Sequence, residues 1–153
     1  MNKIIAIVGM CGSGKSVASD LLVEKGYQKV YFGGVTLAKL KEKGLEVTPE
    51  NEKMMREKLR EDLGMGAFAK ILLPQIKELS SHGNVVLDGL YSWDEYKILD
   101  DELGKQMKTI AIICDKKIRY KRLSSREVRP LTKKEAQNRD LAEIENIAKA
   151  PPI

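Results

Sequence analysis

The chain has 153 residues, 42% hydrophobic and 32% charged, which suits one soluble globular domain over 1–153 with no repeat, low-complexity tract or interdomain linker. A net charge of +5 favours anionic partners, and the lack of an aromatic-rich basic platform turns that preference toward phosphates and away from nucleic acid. Two cysteines without a C-x-x-C neighbour, no leader-like start and no apolar run near the roughly 18 residues of a membrane helix predict a reducing cytoplasmic setting, without secretion or a membrane span.

Ile4, Ile5, Ile7 and Val8 form a short apolar run that reads as a buried parallel strand. It leads into Gly9-Met10-Cys11-Gly12-Ser13-Gly14-Lys15-Ser16, which fits the phosphate-binding pattern G-x-x-x-x-G-K-[ST] at every specified position. Gly9, Gly12 and Gly14 allow turns closed to a residue with a Cβ, so the backbone N–H groups around Ser13 can wrap a phosphate chain. A helix predicted from Lys15 to Lys25 aims its positive end at the same point, with Val17 in its first turn and Gly26 ending it. Lys15 is placed to reach the β- and γ-phosphates, and the Ser16 hydroxyl to ligate a bridging Mg²⁺. The implied ligand is ATP, or another nucleoside triphosphate, with magnesium. Val17, Leu21 and Leu22 recur at helical spacing, and Cys11, at a variable loop position, is read as a small residue.

A second strand is predicted over Tyr27 to Phe32, broken by Gly33-Gly34, with a short helix from Val35 to Lys43. Thr48-Pro49 is a helix start, and the helix continues to Leu63 with a dense Glu-Lys-Arg pattern that reads as a solvated face. After Gly64-Met65-Gly66, Ala67 begins another helix ending near Ser80-Ser81, and the only histidine, His82, falls in a loop with no assigned role. Val85-Val86-Leu87 is a third strand that delivers Asp88-Gly89 at its carboxyl end. Ligands of a parallel sheet sit beyond those ends, so Asp88 is a candidate to hold Mg²⁺ through water or to take a proton from the acceptor; the alternative is an aspartate that caps the next turn.

Ser92 to Glu95 is a capping box opening a helix to Leu103. Thr109 to Cys114 reads as another apolar strand, and Asp115 is placed to cap the helix after it. Lys116, Lys117, Arg119, Lys121, Arg122, Arg126 and Arg129 then place seven cations in fourteen residues. The lysines read as a solvated face, whereas Arg119, Arg122 and Arg126 share one helix face and are positioned to meet a phosphate chain together. Thr132 to Glu135 is a second capping box, starting a helix with Leu141, Ile144 and Ile147 as its apolar stripe.

Taken with Leu59-Arg60-Glu61, Val86-Leu87-Asp88-Gly89, Arg119-Tyr120-Lys121-Arg122 and Arg139-Asp140, the loop resembles a P-loop nucleotide kinase, near the adenylate kinase-like and dephospho-CoA kinase-related family. The resemblance implies a three-layer α/β fold with a parallel sheet in order 2-3-1-4-5, an acceptor arm over about 33–80 and a lid over about 116–140. It implies that Arg122, Arg126 and Arg139 give charge to the transferring phosphoryl group and that Arg60 faces the phosphate of a small-molecule acceptor. The implied activity is ATP-dependent phosphoryl transfer to a nucleotide-like or CoA-precursor acceptor; a non-catalytic nucleotide-binding switch is the alternative. Three features depart from the family pattern: the acidic residue after strand two, the arginine after Asp-Gly, and a last strand beyond Ala150. The last departure predicts an open strand-four edge over Ile110 to Cys114 and self-association through it.

Overall fold

The computed structural model describes residues 2–127 and 130–145. Arg129, Ile147 and the segment beyond Ala150, on which parts of the sequence reading rest, lie outside them. The elements alternate: β1 (Ile4–Val8), α1 (Lys15–Glu24), β2 (Gln28–Tyr31), α2 (Gly33–Glu42), α3 (Pro49–Leu63), α4 (Ala67–His82), β3 (Val85–Asp88), α5 (Trp93–Leu103), β4 (Met107–Ala111), α6 (Lys116–Ser125) and α7 (Lys133–Glu145). Four parallel strands pair in the order β2-β3-β1-β4, the 2-3-1-4 order of the expected fold. Helical crossovers are what parallel pairing requires, and here they cover the sheet on both faces.

Strand alternation separates the two faces. Ile4, Ala6 and Val8 of β1, with Val85 and Leu87 of β3 and Val30 of β2, join Leu72, Ile76 and Leu99 of the helices in one apolar core. Asp88 follows Leu87, so its side chain turns to the opposite face, where α1 lies and Ser19 meets it. Ile7 to Asp88 is the last register pair between the two central strands, so the loop after β1 and the end of β3 open at the same edge of the sheet.

Local chemistry sets several boundaries. Thr48 Oγ1 accepts from the Asn51 amide at 3.2 Å ahead of Pro49, and Ser92 and Glu95 exchange both bonds of a capping box at the start of α5. Elsewhere the boundaries move. Gly33-Gly34 opens α2: the Tyr31 ring lies over Gly33, where a Cβ would come within 2.4 Å of it. His82 is the last residue of α4, which continues through Pro74. The fourth strand begins two residues earlier than predicted, because its pairing with β1 runs from Met107 opposite Ile4 to Ala111 opposite Val8. It is an edge strand among the described residues, with Lys108 to Ala111 exposed and Ile113 93% exposed. In α1 the predicted apolar stripe is turned outward: Val17 is 75% exposed, and Ser19 is the residue that is fully buried. No helix among the described residues is long and apolar enough to cross a membrane.

The core makes a direct stability prediction. Leu87 is fully buried at the centre of the sheet, so Leu87→Ala is expected to lower the unfolding free energy by about 3 kcal/mol in denaturant titration. Ile113→Ser, at the exposed end of the β4 segment, is expected to change it by less than about 0.5 kcal/mol.

Candidate phosphate-loop site

The loop after β1 needs its glycines. Gly9, Gly12 and Gly14 hold φ of 144, 79 and 105°, and a Cβ at Gly9 would lie 2.5 Å from the Ile112 carbonyl oxygen. Lys15 folds back over the loop and donates from Nζ to the carbonyls of Gly9 at 2.7 Å and Met10 at 2.9 Å. Burial holds its ammonium below the usual lysine pKa, against Cys11, Glu143 and Asp88; Arg139 adds to the depression. Those four side chains lie within electrostatic reach of it. Ser13 Oγ is buried without a hydrogen-bond partner, a polar atom in the loop left for a ligand, while Ser16 and Val17 stand exposed at the mouth.

Asp88 is 5% exposed, and Ser92, not Asp88, caps α5. The Asp88 Oδ2 accepts from the Ser19 hydroxyl at 3.0 Å and pairs with Lys29 Nζ at 2.9 Å. Lys29 reaches Asp20 at the same distance, so one cation joins β2, α1 and β3.

The expected common face of Arg119, Arg122 and Arg126 does not form. Arg119 turns inward and makes a bidentate pair with Asp140, Nη1 to Oδ1 at 2.8 Å and Nη2 to Oδ2 at 2.6 Å, and Nη1 also donates to the Cys11 carbonyl at 3.0 Å. Tyr120 adds its hydroxyl to Asp140 Oδ2 at 3.1 Å. Arg122 donates to the carbonyls of Ser13 at 3.1 Å and Gly12 at 3.4 Å, so it addresses the acceptor groups of the loop and not its N–H side. Arg126 is the half-buried C-cap of α6.

The Arg119–Asp140 pair ties α7 to the loop. Tyr91 supplies a second tie, its hydroxyl donating to the Glu143 carbonyl of α7 at 2.8 Å. Burial, with Glu143 and Glu95 beside it, pushes the Tyr91 phenol up to about 12 despite Arg60 and Arg139, so it is a donor at neutral pH. Between these ties Arg139 Nε pairs with Glu143 Oε1 at 3.1 Å. Arg60 lies 5.7 Å over the Phe68 ring centroid.

The same fold is found elsewhere. A family model described as an AAA domain matches residues 5–145. The chain belongs to this family. It is 38% identical over 126 residues to the UPF0200/UPF0201 protein of Archaeoglobus fulgidus, covering 82% of this chain and 39% of that one. It is 37% identical to the UPF0200 protein of Methanosarcina mazei, covering 82% and 67%, so the match spans two fifths to two thirds of these relatives. Among solved structures, TT1252 from Thermus thermophilus matches with a TM-score of 0.60 at 21% identity, covering 97% of this chain and 85% of that one. A sugar kinase from Janibacter sp. HTCC2649 matches with a TM-score of 0.57 at 13% identity, covering 99% and 83%. At those identities the likeness is one of fold, and it agrees with the sequence at the level of a P-loop kinase-like α/β domain.

P-loop kinase-like domains bind a nucleotide and Mg²⁺, and the donors present fit them. Mg²⁺ on phosphates takes one or two protein oxygens and keeps water for the rest. Ser16 at the loop and Asp88 at the end of β3 would be the oxygens to hold it, and among the described residues no three His, Cys, Asp or Glu side chains form a self-contained cage. Five residues of the site escape a sequence reading: Ser19, Lys29, Arg56, Tyr91 and Glu143. Two had a signal. Ser19 follows Ser16 by one helical turn, and Arg56 precedes Arg60 by one, hidden among charges that otherwise face solvent.

The buried pair gives a pH prediction. Arg119 and Tyr120, by hydrogen bonds, outweigh burial and hold the Asp140 carboxyl below the usual aspartate range. A depressed carboxyl stabilises the fold above its unfolded pKa and loses that contribution as pH falls through the folded value. Asp140→Asn is therefore expected to unfold at lower denaturant than wild type by an amount that is constant from pH 8 to about 5 and narrows below about pH 4. A gap independent of pH would remove the pair from the account.

Proposed function

We propose that the chain is an ATP-dependent phosphotransferase that moves the γ-phosphoryl group of Mg-ATP to a small nucleotide-like or CoA-precursor acceptor. One arrangement carries this reading: a glycine loop with Lys15 folded over it, a buried Asp88 at the same sheet edge, and α7 tied to the loop through Arg119, with Arg139 within electrostatic reach of Lys15. The resemblance to adenylate and dephospho-CoA kinases supports it, as does the kinase-like fold. In this reading the loop amides, Ser13 and Lys15 hold the triphosphate, and Ser16 and Asp88 hold Mg²⁺ directly or through water. The acceptor oxygen attacks the γ-phosphorus, the bond to the β–γ bridging oxygen breaks, and ADP leaves with that electron pair. In the alternative role Asp88 takes the proton of a hydroxyl acceptor instead of holding the metal. Such a transfer depends on positioning and charge more than on covalent chemistry.

The helices α2 to α4 form the acceptor arm, and α6 with α7 the lid; closing the lid keeps water from the triphosphate. Arg139 acts from the lid on the transferring group. Arg122 and Arg126 act there only after leaving their present positions at the loop carbonyls and the end of α6. The exposed β4 edge supports self-association of the chain, which concentration-dependent sedimentation checks; Ile110→Lys on that edge is expected to abolish it.

The reading is tested by ADP release from Mg-ATP with dephospho-CoA, AMP, CMP and nucleosides as acceptors. One acceptor is expected to raise turnover well above the basal rate. Lys15→Ala is expected to lower it by at least about a hundredfold, and Asp88→Asn by at least about tenfold with a higher Mg²⁺ requirement. ATP binding without stimulation by any acceptor would favour a nucleotide-binding switch instead.

A further inference from the structure

β2 pairs with β3 so that Lys29 lies opposite Val86 and Tyr31 opposite Asp88. Side chains alternate along a strand, and partners in a parallel pair share a face, so Lys29 stands on the face of Asp88, one pleat behind it. Val30, between Lys29 and Tyr31, takes the other face and is buried in the core. A lysine stem can lie along apolar surface while its charged head reaches a polar group. The Lys29 ammonium does so, ending 2.9 Å from Asp88 Oδ2 and 2.9 Å from Asp20 Oδ1. The two arms of this bridge differ. The Asp20 side chain is 65% exposed, so its pair is a surface contact of little weight, whereas the Asp88 side chain is 7% exposed.

The contacts on Asp88 are one-sided. Its Oδ2 accepts from the Ser19 hydroxyl and meets the Lys29 ammonium, so both lone-pair directions of that oxygen are used. Ser19 is itself fully buried, with its Oγ 2.9 Å from the Ser16 carbonyl. Among the described residues nothing donates to Asp88 Oδ1. The carboxylate also lies within electrostatic reach of Lys15, which puts it beside the phosphate loop. A buried carboxylate without a cation bears the desolvation cost of its charge, and one free to turn about its Cβ–Cγ bond offers either oxygen. Lys29 removes the first problem and, with Ser19, the second.

We propose that Lys29 is a positioning residue: with Ser19 it locks the Asp88 carboxylate through Oδ2, so that Oδ1 alone is presented to the Mg²⁺ of a bound nucleotide or to one of its waters. Mg²⁺ on phosphates uses one or two protein oxygens, and an outer group that orients such an oxygen counts for nearly as much in affinity as the oxygen itself. Position 29 lies outside both the loop motif and the Asp-Gly pair, and it reaches Asp88 only because β2 is the neighbour of β3. The inference rests on the phosphotransferase reading for the metal and for the part Asp88 takes in holding it. It involves no acceptor.

The test measures binding, not turnover. Calorimetry gives the affinity for the non-hydrolysable β,γ-imido analogue of ATP with excess Mg²⁺ and again with EDTA, and the ratio of the two isolates the contribution of the metal. Asp88→Asn is expected to lower that ratio by about tenfold or more, and Lys29→Met to lower it most of the way to the Asp88→Asn value. The affinity in EDTA, which reports the loop alone, is expected to move by less than about threefold in Lys29→Met. Lys29→Arg, which keeps the charge and the donors, recovers part of the loss. Asp20→Asn, which cuts only the exposed arm, is expected to leave the ratio within about twofold of wild type. The proposal is overturned if Lys29→Met keeps the wild-type ratio, or raises it as the removal of a competing cation would. It is overturned if Asp20→Asn matches the loss, which would assign the effect to the tie between β2 and α1. An Asp88→Asn ratio equal to wild type overturns it too, since Asp88 then does not meet the metal. So does an equal loss of affinity in Mg²⁺ and in EDTA, since Lys29 would then serve the fold. ADP release with the acceptors is scored apart: a ratio that depends on Lys29 without turnover refutes the transferase and keeps Lys29 in its role.

Discussion

The Arg119–Asp140 pair is the interaction on which the arrangement of this site depends. It is buried on both sides, bidentate, and completed by Tyr120 and the Cys11 carbonyl, so each charge has its hydrogen-bonding capacity largely met. Taking charges out of water costs several kcal/mol each, and only geometry of this quality repays it. The pair does more than hold two helices together. By reaching Cys11, Arg119 fixes the outer wall of the phosphate loop to the same carboxylate that anchors α7, so loop and helix are positioned by one contact. Arg122 reinforces the loop from the same helix through the Ser13 carbonyl.

That dependence explains an odd feature of α7. Its side chains reported as buried are Ala136 and Asp140, while Leu141 and Ile144 are each about half exposed. A helix with so little apolar burial is held by its polar anchors, Asp140 below and the Glu143 carbonyl on Tyr91 beside it. Elements with few buried apolar contacts lie at the low end of local stability, the property a cover over a reaction site requires. The sheet below is built the opposite way, with β1 and β3 almost wholly buried, so the loop and Asp88 start from a rigid floor. Lys29 strengthens that floor by bridging Asp88 to Asp20 on α1, which makes the carboxylate part of the packed structure before any metal arrives.

What could be read from the residues was what local chemistry decides. The glycine loop, the caps at Thr48, Ser92, Asp115 and Thr132, and Asp88 at the end of a β-branched run all depend on neighbours within a few positions, and they stand where the sequence put them. The sheet order came from resemblance, not from periodicity. What failed depended on partners far away in the chain. Helical spacing puts Arg119, Arg122 and Arg126 on one face, but Asp140 lies 21 residues on and Cys11 lies 108 back, and these two decide where Arg119 points. The apolar stripe expected on α7 failed for the same reason: an ion pair outbid Leu141 for the buried face.

The distribution of charge bears on the weakest rival, a basic surface for nucleic acid. Four helical lysines are paired within their own turn: Lys39 with Glu42, Lys53 with Glu57, Lys58 with Asp62 and Lys97 with Asp94. Such exposed pairs contribute little stability, but they remove the uniform positive field that a phosphate backbone would follow. Several arginines are placed differently. Arg139 lies within electrostatic reach of Lys15 and of Arg56, and Arg119, the centre of the basic segment by sequence, is 5% exposed. Five excess positive charges distributed in this way favour compact anions over extended ones. The long, flexible anion of a nucleic acid would need those same groups on a continuous outer face, where α6 keeps chiefly Lys116, Lys117 and Lys121.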